Sequence, residues 1–281
     1  MRLHRASNDI TITHMHCKHP TQAFSLVELS IVLVILGLLT GGILAGQSLI
    51  RAAELRSVIT EYNRYRTAVF SFRDKYFALP GDMSNATSFW NLAGGSGNNT
   101  ACETAAGVVG GSGTCNGNAN GLVDQSGASI HEWATAMQHL SYAGLIEGRY
   151  YPADPWVLET TIPTSKAGSN AGWVLCSTDY GNYTATSWTN GSPTLKLLLG
   201  GSGSGNALCD VTLSAGLNSN ETWTIDTKID DGLATTGHLT VSNSYNAGSD
   251  CLTDNYTNEK LSSQYELNKN RASCRLYFHL Q

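Results

Sequence analysis

A single carboxylate, Glu28, lies within an otherwise uncharged, largely apolar stretch that runs from Ala23 to Ile50. On insertion scales a carboxylate in such a setting costs about 3 kcal/mol, so it calls for a positively charged partner. The chemistry it suggests is neutralisation of an amine, not catalysis. A plainer role is a residue near the membrane interface that reaches for water.

Two loops carry side-chain oxygens at spacings that suit a hard cation. Asn116, Asn118 and Asn120 alternate ahead of Gly121, with Asp124 at the ninth position, as in the front half of an EF-hand-type loop. The twelfth position is Gly127, where such loops place a bidentate Glu; Glu132 could substitute from the next helix only if the loop folds back, and three Asn in place of Asp lower the charge. Asp226, Asp230 and Asp231 form a second acidic group, ahead of Gly232. Calcium is the cofactor either set would take. Asn-Gly and Asp-Gly turns are the plainer reading of both, because these residues favour turns without any ion.

Catalytic arrangements do not emerge. There is no Gly-x-Ser-x-Gly elbow, P-loop or Gly-x-Gly-x-x-Gly run, and His131-Glu132 lacks a second His four residues after the first. The chain therefore does not read as an enzyme. Trp133, Trp156, Trp173, Trp188 and Trp223 suit a core better than an exposed binding stripe. Charged residues make up only 14% of the chain, with 29 Gly and a net charge of −5, which suits a loop-rich extracytoplasmic surface. The acidic balance also excludes a sequence-independent nucleic-acid binder, which needs clustered Lys and Arg.

The elements that hold these residues follow from the pattern. From Leu29 to Ile50 no Asp, Glu, Lys, Arg, His or Pro occurs, which satisfies the roughly 20 residues needed to cross a bilayer as a helix. The run exceeds the 7–15 apolar residues typical of a signal peptide. Beyond it Leu55, Val58, Ile59, Tyr62, Tyr65, Val69, Phe72 and Tyr76 recur at spacings of three and four, with charges between them. That is one apolar stripe of a continuing helix. From Phe24 to about Phe77 the helix would extend roughly 80 Å, and Leu79-Pro80-Gly81 stops it.

The segment Phe24-Ser25-Leu26-Val27-Glu28-Leu29, the anchor, its amphipathic extension and Tyr76-Phe77-Ala78-Leu79-Pro80-Gly81-Asp82-Met83 together resemble the type IV pilins and the type II secretion pseudopilins. The resemblance covers Ala23 to about Phe89. It implies that prepilin peptidase cuts between Ala23 and Phe24, that Phe24 becomes N-methylated, and that Glu28 neutralises the amino terminus of a neighbouring subunit during assembly. Ala23 stands where this group usually has Gly. Gly41, Gly42 and Gly46 stand where many of its members carry a helix-loosening Pro. Met1 and Met15 are both candidate starts, the second leaving a short basic leader.

The domain organisation expected is a leader over 1–23, a transmembrane half-helix over 24–50, an amphipathic half over 51–78 and an extracytoplasmic globular domain over 79–281. The fold class is α+β and pilin-like: the long helix packs on a small antiparallel sheet with disulfide-closed loops. Strands are expected at Gly172–Cys176, Thr194–Leu199 and Gly237–Val241. Ser129 and Glu132 read as a capping box opening a helix through Trp133 to Tyr142. A second helix is expected from about Asn220 to Ile229, capped by Ser219.

Seven cysteines are present, and Cys17 falls in the leader. The six beyond the anchor suit an oxidising compartment, and six allow 15 pairings. Sequential pairing is preferred: Cys102–Cys115, Cys176–Cys209 and Cys251–Cys274. Without a Cys-x-x-Cys, zinc is not expected.

The function these readings imply is a structural subunit of a type IV pilus or a secretion pseudopilus. Its partners would be prepilin peptidase, other pilin subunits, an assembly platform protein and the membrane, with no nucleic acid. It would sit in the inner membrane with a periplasmic domain before assembly, and in a filament in the periplasm or at the cell surface afterwards. A mature chain of about 258 residues is large for a repeating subunit, which points to a minor or specialised one. The competing class is a signal-anchored extracytoplasmic binding protein that never polymerises.

Overall fold

The computed structural model describes residues 25–91, 113–126, 130–151, 157–168, 170–177, 194–201, 216–243, 250–253 and 264–280. The chain divides after Leu49 into two compact units. The first helix, α1 (Leu26–Tyr76), begins in the first unit and continues into the second without interruption. Gly37, Gly41, Gly42 and Gly46 all lie within it, so the glycines do not break the helix.

In the first unit nearly every α1 side chain is exposed: Leu26, Leu38, Ile43, Leu44 and Leu49 each leave more than half of their surface uncovered. This is the one helix among the described residues long and apolar enough to cross a membrane.

In the second unit α1 buries Leu55, Val58, Tyr65, Ala68, Val69 and Phe72 along one stripe, as the spacing requires. It ends at Tyr76; Phe77 follows in the left-handed region at φ +54°. Short α2 (Ala86–Trp90) comes next. Gln125–Ser126 (β1) and Ile130–His131 (β2) form a small antiparallel ladder that leads into α3 (Glu132–Tyr142). From Glu132 to Leu140 α3 is buried on all sides, polar residues included.

The main sheet is antiparallel, built from β3 (Ala171–Cys176), β4 (Lys196–Gly201), β5 (Leu239–Asn243) and β6 (Cys274–His279) in the order β3-β4-β6-β5. Trp173 pairs with Leu199, Leu199 with Leu276, and Leu276 with Val241, which sets one register across all four strands. Helix α4 (Ser219–Ile229) precedes β5.

Aromatic side chains join α1 to the sheet. Tyr62 stacks on Phe278 with ring centres 4.6 Å apart, Tyr65 lies 5.6 Å from Trp173, and Trp173 lies 5.3 Å from Phe278. Such rings each contribute about 1.5–3 kcal/mol through burial, plus about 1 kcal/mol per well-placed pair. Burying Trp173 brings in a polar N–H, which donates to Glu61 Oε2 on α1 at 2.9 Å. The same carboxylate accepts Ser165 Oγ–H at 2.6 Å and the Lys166 N–H at 3.1 Å, so α1 and the strand entry share one satisfied acceptor.

Several expectations shift. The strands begin one residue earlier or two later than the pattern suggests. The central strand β6 was not expected at all. The α4 cap is Asn218 rather than Ser219: the Asn218 side chain accepts the Glu221 N–H, and the Glu221 carboxylate accepts the Asn218 N–H. Cys251 and Cys274 are joined, which ties the segment ahead of Thr253 to the start of β6. Cys115 is also in a disulfide, while Cys102 lies outside the described residues.

Cys176 departs from the sequential scheme, because its thiol is free and buried. Every residue of β3 is buried, so Cys176 serves there as a small apolar core residue. The expected partner, Cys209, lies outside the described residues.

Candidate functional site

The amino-terminal site begins at Ser25, since Ala23 and Phe24 lie outside the described residues. The Ser25 carbonyl accepts the Leu29 N–H at 3.1 Å, the first helical bond of α1. Ser25 Oγ accepts the Val27 N–H at 3.3 Å, and Glu28 Oε2 accepts the Ser25 N–H at 3.0 Å. Ser25-Leu26-Val27-Glu28 is thus a reciprocal cap, a Ser followed three residues later by a Glu. The carboxylate also sits where the helix dipole is positive.

This is a second role for Glu28, and the Ser-x-x-Glu pattern that announces it is present in the sequence. The cap engages only Oε2; Oε1 has no partner among the described residues. Glu28 is exposed and surrounded by exposed apolar side chains.

Residues 18–44 match the family described as the prokaryotic N-terminal methylation motif. The chain carries a prokaryotic N-terminal methylation motif. The match spans the position of the proposed cut, Glu28 and most of the apolar helix. No curated protein and no solved structure matches the chain. The α+β layout seen here, a long amino-terminal helix with a four-stranded antiparallel sheet and the Cys251–Cys274 bridge, is pilin-like.

Arg51 holds α1 just beyond the apolar run. Its Nε donates to Glu221 Oε1 at 2.5 Å, and its Nη1 donates to Glu54 Oε2 at 2.7 Å and to the Ala167 carbonyl at 2.8 Å. The hydrogen bond to Glu221 raises the affinity of the guanidinium for its proton, ahead of the opposing effect of burial. Glu221 also completes the α4 cap, so one carboxylate fixes both the start of α4 and the exit of α1.

The segment carrying the first candidate cation loop is organised by Gly81, Asp82, Glu132 and His139. Gly81 has φ +96°, and a Cβ there would lie 2.4 Å from the Glu132 carbonyl oxygen, so only glycine fits. Its N–H donates to His139 Nδ1 at 2.9 Å. Asp82 accepts the Asn120 N–H at 3.0 Å and the Gly121 N–H at 2.9 Å. Glu132 accepts the Asn118 N–H at 2.8 Å and the Asp124 N–H at 3.2 Å, instead of acting only at its own helix start. Ser129, the expected cap, lies outside the described residues. Two buried carboxylates therefore gather the loop's amides.

The oxygens of the loop point to other tasks. Asn116 Oδ1 accepts the Thr87 N–H in the first turn of α2, Asn118 Oδ1 the Asn120 N–H, and Asn120 Oδ1 the Leu122 N–H. Asp124 Oδ2 accepts from the Asn120 amide at 3.2 Å. Asn118 and Asn120 thus make successive Asx turns, while Asp124 Oδ1 is buried without a hydrogen-bond partner among the described residues.

Charge states follow from burial here. His139 is fully buried between Phe72, Trp90 and the loop, and burial holds it at about 4, well below the usual histidine range. Because Nδ1 accepts from Gly81, the proton of the neutral ring sits on Nε2, facing Thr114 Oγ1 at 3.0 Å and the Cys115 carbonyl at 3.2 Å. Burial pushes Glu132 up to about 7 against the two amides that favour its charge.

The second candidate set does converge. Asp226, Asp230 and Asp231 each offer an oxygen, and these oxygens lie within 4.8 Å of one another. No such group that includes Asp124 occurs among the described residues.

Proposed function

We propose that the chain is a structural subunit of a type IV pilus or a type II secretion pseudopilus. Prepilin peptidase cuts between Ala23 and Phe24, Phe24 is methylated, and the subunit enters a filament through α1. The observation that carries this reading is the pairing of the methylation motif at residues 18–44 with the exposed apolar part of α1 ahead of Arg51, whose lone carboxylate is Glu28. A helical stretch that exposes its Leu, Ile and Val from Leu26 to Ile50 has two possible covers, lipid and the helices of its own kind. Before assembly the first covers it in the inner membrane, with the globular domain in the periplasm. In the filament the second does.

Glu28 then has consecutive partners. In the single chain it caps α1 through Oε2. In the filament its open oxygen meets the amine of a neighbouring subunit's mature amino terminus, and in a low-dielectric setting such a pair forms only when both charges are present. The globular domain faces outward, as a minor or specialised component sitting below another subunit. The partners are other pilin subunits and the assembly platform protein; the role is structural rather than enzymatic.

The test is Glu28→Ala in the native host. The variant is expected to insert in the membrane at wild-type levels, because the apolar span is intact, and to be depleted from sheared filaments about tenfold, the effect of losing about 1.4 kcal/mol of subunit docking. Filament entry equal to wild type would refute the role of Glu28 in assembly.

A further inference from the structure

We propose that Arg66, Phe70, Arg73 and Phe77 form a docking stripe on α1 for the acidic globular domain of a second copy of this chain. The inference rests on the filament reading and adds to it a contact outside the apolar run.

The four residues follow at spacings of four, three and four, which places them along one side of the helix. Phe70 is half-buried and packs on the core, and its ring lies under two guanidinium groups: Arg66 Cζ is 5.3 Å and Arg73 Cζ 4.9 Å from the ring centre. Such stacking steadies both side chains and leaves their N–H edges open to a carboxylate. Both Arg are exposed, and neither forms an ion pair among the described residues. The nearby carboxylates of α1 are engaged elsewhere, Glu54 by Arg51 and Glu61 by Ser165, Lys166 and Trp173, which leaves Asp74 as the one exposed acid of this half-helix.

Phe77 closes the stripe under strain. It is 93% exposed and stands at φ +54°, a backbone conformation that disfavours bulky side chains and that helix ends usually give to glycine. An exposed aromatic held in that conformation beside two Arg without carboxylate partners has the make-up of an interface hot spot.

Charge selects the occupant. Over 51–76 six Lys and Arg stand against three Asp and Glu, and over 77–281 the balance reverses to eight against seventeen. Glu159 and Asp231 are among the exposed carboxylates of that domain. A second copy therefore brings the complementary sign to the stripe. Stripe and acidic surface are different regions of one chain, so the contact is head-to-tail, the kind that repeats along an open row of subunits. A nucleic acid would instead be opposed by the acidic remainder of the domain.

The experiment follows self-association of the full-length chain in detergent by sedimentation equilibrium. It compares about 0.1 M with about 1 M sodium chloride, where charges are screened beyond about 10 Å and about 3 Å. Wild type is expected to associate at the lower salt and at least tenfold more weakly at the higher. Arg66→Glu combined with Arg73→Glu should weaken association at the lower salt at least tenfold and leave the melting temperature unchanged. Phe77→Gly should weaken association as well while melting no lower than wild type, because glycine relieves the left-handed backbone. A residue with only a structural role would not separate those two readouts. Association that ignores salt and both variants would belong to the apolar run and would overturn the stripe. So would a wild type that stays monomeric, or one that uses Arg66 and Arg73 to retain single-stranded DNA instead of a second copy. The assay needs neither cleavage nor filament entry, so its failure is distinct from a failure of the filament reading.

Discussion

Acidification tests the buried His139 most sharply. The ring accepts the Gly81 N–H at Nδ1, so a proton on Nδ1 removes that bond and places a charge in a site lined by Phe72 and Trp90. Burial accordingly holds the group at about 4, below its ordinary 6.5. Between those values the unfolded chain binds the proton and the folded chain does not, so the stability contribution is present above pH 6.5 and is lost as pH falls through about 4. The difference amounts to about 3 kcal/mol.

Raw stability would hide this effect, because Glu132 acts in the opposite sense over nearly the same window. The measurement is therefore a difference. Urea unfolding of the full-length chain in detergent, followed by tryptophan fluorescence, would be compared between wild type and His139→Asn from pH 7 to pH 4. The Asn keeps an acceptor near the position of Nδ1 and does not titrate, so common contributions cancel. The advantage of wild type over the variant should shrink by about 3 kcal/mol as pH falls from 7 to 4. A difference independent of pH would refute the buried neutral ring and its Gly81 hydrogen bond.

Other outcomes follow from the same structure. For Glu132 the folded value is raised, so its contribution is present below the unfolded value near 4.5 and lost as pH rises through about 7. Wild type should therefore lose about 3 kcal/mol relative to Glu132→Gln between pH 4.5 and pH 8 in the same unfolding assay. Replacing Cys251 and Cys274 by Ala should lower stability by about 3 kcal/mol, the chain-entropy value for a loop closed across a separation of 23 residues. Non-reducing peptide mapping would first verify the pair.

The long helix was legible because its two halves obey simple rules, an uncharged run and then a stripe at helical spacing, and the structure buries Leu55, Val58, Tyr65, Val69 and Phe72 from that stripe. The strand β6 was not legible. Arg275 and His279 flank its short apolar run Leu276-Tyr277-Phe278, and their burial becomes tolerable only through distant partners: Arg275 donates to the Asn243 carbonyl at 2.6 Å, and His279 meets Thr240 and Thr194. Cys176 misled for a related reason, since an even count of cysteines says nothing about which of them a strand buries.

The acidic sites divide in the same way. Asp226, Asp230 and Asp231 are near in sequence, and the end of α4 with the turn after it brings them within reach of one another. The role of Asp82 depends on a loop nearly forty residues on returning to it, which no local pattern carries, whereas Glu132 reaches the loop just ahead of its helix, as a loop folding back would require. At the amino terminus the motif residues were legible. The reciprocal Ser25–Glu28 cap was written there too, but it is a property of helix ends and was overshadowed by the charge in the apolar run.

Mass spectrometry of the amino-terminal peptide from membrane and filament fractions of the native host tests the central claim most directly. A processed pilin-class subunit should begin at Phe24, lack residues 1–23 and carry one methyl group on its amine. A chain that retains residues ahead of Phe24 in the filament fraction, or that starts elsewhere, would contradict the account.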